Sequence, residues 1–139
     1  MKYISALGLA LVVGACTISQ TVTPVAANRI DTLCVEENLR VAQAGFEPAL
    51  IRQINGRGFA TRRFSGEVPP DCRHVLSYTA NWRWDFALYL VYAELTVTEG
   101  RQQVAQAIYD AKSGGLNFDK FGPTEEKLRV LVAELLPQS

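Results

Sequence analysis

An α+β two-layer sandwich is the fold this sequence predicts: a four-stranded mixed sheet in the order β-α-β-β-β-α, with both helices on one face. Three observations lead there. Period-two alternation dominates residues 74–111, two separate segments carry apolar residues at helical spacing, and a cysteine pair brackets the first helix. With 139 residues, 48% of them hydrophobic and 20% charged, the chain has the material for one core.

The elements follow in order. Thr32 to Glu36 is a short β-branched and apolar run, the first strand. Glu47-Pro48 opens a helix with Leu50, Ile51 and Ile54 on one side, and Asn55, Gly56 and Gly58 close it. Phe59 to Phe64 leads into a loop with Gly66, Pro69 and Pro70. His74 to Trp82 is the second strand, with Leu76, Tyr78, Ala80 and Trp82 on one face. Phe86 to Thr98 is a long third strand. Strict alternation puts Ala87, Tyr89, Val91, Ala93, Leu95 and Val97 toward the helices, and Leu88, Leu90, Tyr92, Glu94, Thr96 and Thr98 away from them. Glu99-Gly100 marks a hairpin into a fourth strand, Gln102 to Ala111. After a loop over Lys112 to Pro123, Thr124 is expected to cap a last helix that carries Glu125 and Glu126 in its first turn and buries Leu128, Leu131, Val132, Leu135 and Leu136. The first crossover makes the first two strands parallel, and two hairpins add antiparallel neighbours.

The amino-terminal residues carry a separate message. Met1-Lys2 is a positive start, Ile4 to Val13 a short apolar run, and Val13-Gly14-Ala15 places small residues before Cys16. The run is too short to span a bilayer. This layout resembles the bacterial lipobox, which implies that residues 1–15 are a signal peptide and that Cys16 is acylated. Thr17 stands where inner-membrane lipoproteins commonly carry Asp, so the expected location is the outer membrane, periplasmic face. Residues 16–28 read as the lipidated cysteine and a tether, and 29–139 as the single domain.

With Cys16 acylated, two cysteines remain. In an oxidising compartment Cys34 and Cys72 are expected to form a disulfide, which parallel first and second strands would allow. A metal site from Cys34, Cys72 and His74 is the weaker reading, because it lacks a fourth ligand and close paired spacing. His74, the single histidine, reads as a polar residue at a strand entrance. No metal and no cofactor is expected.

Lys+Arg and Asp+Glu balance at 14 each and are scattered, which argues against a nucleic-acid partner. Asp85, Glu94 and Asp110 are the carboxylates near the aromatic hairpin, and a pair of them is the one route to glycan cleavage. Ser113-Gly114-Gly115 with Lys120 lacks the spacing of a phosphate loop. No catalytic residue is assigned. Trp82, Trp84, Leu88, Leu90 and Tyr92 form the expected partner surface, on the sheet face away from the helices.

The strings Tyr78-Thr79-Ala80-Asn81-Trp82-Arg83-Trp84-Asp85, Ala87-Leu88-Tyr89-Leu90 with Ala93-Glu94-Leu95, and Gly114 to Phe121 resemble those of a family of small uncharacterised lipoproteins of Gram-negative bacteria. The resemblance covers Leu33 to Leu136 and implies an envelope location, with no residue role to carry over. The expected function is therefore a non-catalytic interaction or structural module of the envelope. Its partners would be the membrane, through its lipid, and another envelope protein or a cell-wall polymer. The alternative is an envelope hydrolase or glycan-modifying accessory protein that uses the acidic residues near the hairpin.

Overall fold

The computed structural model describes residues 19–23, 30–111 and 122–137. The proposed signal segment, Cys16 and the Gly114 to Phe121 string lie outside them. The α+β class holds, and the sheet has six strands rather than the four expected. In chain order the elements are β1 (Ser19–Thr23), β2 (Thr32–Glu36), α1 (Phe46–Gly56), β3 (Ala60–Phe64), β4 (His74–Asp85), β5 (Ala87–Glu99), β6 (Gln102–Asp110) and α2 (Thr124–Leu135). The sheet order is β1-β6-β5-β4-β2-β3. β2 is parallel to both β3 and β4, and every other pairing is antiparallel.

Both additional strands lie at sheet edges, where sequence signals are weakest. β3, Ala-Thr-Arg-Arg-Phe, lacks an apolar face of its own, and its ladder to β2 is what makes it a strand. β1 falls inside the segment expected to be a tether, and pairs with β6 from Ser19↔Asp110 to Thr23↔Gln106. Its Ser, Thr and Val content suits an edge strand as well as it suits a linker.

Both helices pack on one face of the sheet, as expected. One cluster joins Leu33 and Val35 of β2, Leu76, Tyr78 and Ala80 of β4, Ala93, Leu95 and Val97 of β5, and Ala105, Ala107 and Tyr109 of β6 to Leu50, Ile54, Leu128, Leu131 and Leu135 of the helices. α1 begins at Phe46, a residue earlier than Glu47, and Pro48 falls in its first turn, where a missing N–H costs nothing. Beyond its end, Gly58 takes a φ of +89°, a conformation that favours glycine. α2 starts after Pro123, and Thr124 makes no side-chain cap, contrary to expectation. Arg57 donates instead to the carbonyls of Leu136 and Ala133 at the other end of α2, tying α1 to it.

The third expected strand is broken by a bulge. Asn81 pairs with Tyr92 but Trp82 pairs with Leu90, so Val91 is an extra residue and the facing of the chain reverses there. Ala93, Leu95 and Val97 face the helices as expected. Before the bulge it is Leu90 that does so, fully buried in the core, with Leu88 on the same side. Placing Leu90 on an exposed face was therefore an error of register.

Candidate functional site

Three regions gather polar or exposed side chains, and the first is the open sheet face. There β4 presents Ser77, Thr79 and Asn81, while β5 presents Tyr92, Glu94 and Thr96. Gln106, Ile108 and Asp110 of β6 continue the surface, with Ile108 directly across from Glu94. Glu94 organises it. Its carboxylate accepts from the Tyr92 hydroxyl at 2.6 Å, from Gln106 Nε2 at 3.0 Å and, at 3.5 Å, from Thr96 Oγ1. The bond to Glu94, burial, and the negative charges of Glu94 and Asp110 push the Tyr92 hydroxyl up to about 12. It stays protonated and acts as a donor. A shallow cavity of about 170 Å³ lies beside it, lined by Ser77, Tyr78, Thr79, Glu94 and Thr96.

Of the three carboxylates singled out in the sequence, the fold brings two to this face. Asp110 stands directly across from Tyr92, and Glu94 is one rung further along β5, so the two acids flank the tyrosine. Asp85 pairs with Ala87 at the far tip of the β4–β5 hairpin.

The second region joins the amino-terminal turn of α1 to the sheet. Glu47, 7% exposed, accepts from Arg63 Nε and from the Tyr78 hydroxyl. Asn38 closes the cluster: its backbone N–H donates to the Tyr78 hydroxyl at 3.1 Å and its side-chain amide to the Tyr78 carbonyl at 2.8 Å. Burial and the bond to Glu47 push the Tyr78 hydroxyl up to about 12. A cavity of about 250 Å³ adjoins the cluster. Every carboxylate and hydroxyl in it has a partner within the cluster, so its role is to clamp the loop before α1 onto β4. Sequence reading missed this cluster because Arg63 belongs to the unassigned β3.

The third region is the hairpin tip. Trp84 is 75% exposed, Phe86 95% and Leu88 50%, and Trp84 pairs directly with Leu88 across the two strands. Phe86 turns the chain at a φ of 60°, a strained conformation for a bulky residue. The expected partner surface thus divides. Trp84 and Leu88 are exposed, on the helix side of the ribbon. Trp82 is partly buried and meets Phe46 edge-on at 5.6 Å, Leu90 is core, and Tyr92 belongs to the open face.

Cys34 and Cys72 form the expected disulfide, with Cα atoms 6.0 Å apart, which leaves neither thiol free to hold a metal. His74 opens β4 as expected but is buried, with Nε2 3.3 Å from Glu99. Among the described residues no cluster of three or more His, Cys, Asp or Glu side chains is arranged to hold a metal, and no helix is long and apolar enough to cross a membrane.

These features define an α+β domain with a carboxylate-centred polar sheet face and an apolar hairpin tip. No protein-family model and no curated protein matches the sequence. Among solved structures the chain is similar to the PelC dodecamer from Paraburkholderia phytofirmans in two crystal forms. One, in space group P6, aligns with a TM-score of 0.56 at 16% identity, over 85% of this chain and 96% of that one. The other, a point variant in space group C2, aligns with a TM-score of 0.55 at 16% identity, over 85% and 95%. At that identity the likeness establishes a shared fold.

Proposed function

We propose that this chain is a non-catalytic interaction module of the bacterial envelope, held by lipid on Cys16 at the periplasmic face of the outer membrane. It assembles from several copies of itself and binds a cell-wall polymer across its open sheet face. The observation that carries the reading is the arrangement around Glu94. A carboxylate held by Tyr92, Gln106 and Thr96 and bordered by Ser77 and Thr79 is a flat, preformed array of donors and acceptors, suited to the hydroxyls of a sugar polymer. Glycosidases hold their two carboxylates on either side of the scissile bond. Glu94 and Asp110 are diagonal neighbours on one surface, with Tyr92 rather than a cleft between them, which favours binding over cleavage. The dodecameric state of the PelC neighbours supports the multi-copy assembly.

Co-sedimentation with purified cell-wall sacculi tests the reading. The wild-type protein should sediment with the sacculi, and Glu94→Gln should weaken binding by roughly tenfold, the loss expected of one charge-assisted hydrogen bond, at a cost in stability of about 1 kcal/mol that leaves the domain folded. Absence of wild-type binding would remove the polymer from the account. Release of soluble glycan fragments would replace the module with a hydrolase.

A further inference from the structure

We propose that the β4–β5 hairpin tip, through Trp84, Phe86 and Leu88, inserts into the lipid surface beside the anchored cysteine and fixes the orientation of the domain on the membrane. The inference rests on the reading of Cys16 as the lipid attachment point.

Strand register carries it. Ser19, where β1 begins, pairs with Asp110; Asp110 pairs with Tyr92; and Tyr92 pairs with Asn81. The start of β1 therefore lies level with the base of the hairpin tip and at the same end of the sheet. Cys16 precedes Ser19 by three residues, a length of chain that reaches at most about 10 Å. From the Asn81–Tyr92 rung the hairpin continues past the last β5–β6 pair through Trp82↔Leu90, Arg83↔Tyr89, Trp84↔Leu88 and Asp85↔Ala87, which carries Phe86 about 16 Å beyond that rung. The tip thus reaches further out than the tether can. A bilayer that takes up acyl chains on Cys16 end-on to the sheet therefore meets the tip first.

The composition of the tip fits a lipid interface. Trp84 and Leu88 share one side of the ribbon, Arg83 and the exposed Asp85 lie on the other, and Phe86 occupies the turn. Tryptophan is at home at the headgroup level, phenylalanine and leucine just below it, and arginine against lipid phosphate. Phe86 holds a positive φ where glycine or asparagine would sit with less strain. In water a 95% exposed phenyl ring at that position has no role in packing.

The test is tryptophan quenching in vesicles of phosphatidylethanolamine and phosphatidylglycerol that contain brominated phospholipid, using the lipidated protein isolated from membranes. Emission should be quenched, and the quenching should disappear in Trp84→Phe. Phe86→Gly should preserve or raise the melting temperature while reducing the quenching of Trp84 by about twofold, since the acyl chains still hold the protein on the vesicle. Unquenched emission from vesicle-bound protein overturns the proposal. So does shielding of Trp84 from a water-soluble quencher in lipid-free protein, which would assign the tip to a contact between copies. The anchor is judged separately by the mass of the Cys16 peptide. Should that mass show no acyl chain, the same quenching measurement with the Cys16 thiol coupled to a maleimide lipid still decides the fate of the tip.

Discussion

Leu90→Ala should lower the stability of the domain by about 3–5 kcal/mol, near the upper end for a single core truncation. Leu90 is fully buried and belongs to the cluster that joins the sheet to both helices. The Leu90 carbonyl also accepts from Lys127 Nζ at 3.5 Å, so the strand and α2 meet there, and relaxation around the lost methyls is restricted on both sides. Tyr92→Phe, two residues away on the open face, removes only the hydroxyl that bonds Glu94 and should cost about 1 kcal/mol. Denaturant titrations of the two variants measure the difference directly. Equal costs would mean that the bulge at Val91 does not reverse the facing of the strand.

Removal of the disulfide is the second large effect. Cys34 and Cys72 are separated by 38 residues, and closing a loop of that length limits the unfolded chain by about 4 kcal/mol in the entropic account. The folded state depends on the link as well. β2 contacts β4 over three rungs only, Leu33↔His74 to Val35↔Leu76, and the crosslink fastens β2 to the segment entering β4 at that junction. A Cys34→Ala, Cys72→Ala double variant should therefore lose about 4 kcal/mol and show a lower denaturant midpoint than the oxidised protein. A loss below about 1 kcal/mol would show that the ladder alone holds β2 in place.

What the sequence disclosed follows from where burial imposes a period. β4 and β6 and the buried face of α2 were legible because each turns one regular apolar face to the core, and β2 because it is a short apolar run buried on both faces; Leu128, Leu131, Val132, Leu135 and Leu136 are all buried as their spacing predicts. β1 and β3 were not legible. Each is a five-residue edge strand that owes its state to a neighbour distant in the chain.

The partner surface failed for a narrower reason. One residue inserted at Val91 exchanges the faces of everything before it, and nothing in Leu90-Val91-Tyr92 announces a bulge. The Glu94 array was partly legible, since Glu94 and Asp110 were singled out, but their placement around Tyr92 depends on β5–β6 register. The exposure of Phe86 was hidden as well, because an isolated aromatic at a turn reads as the start of a strand until the backbone is seen.

The central claim, that this domain works as a lipid-anchored module of the envelope, meets its most direct test in the intact mass of the protein isolated from bacterial membranes. The account predicts a mature chain that begins at Cys16 and carries covalent acyl chains on that residue. A chain that retains residues 1–15, or one that begins elsewhere and carries an unmodified Cys16, would contradict it.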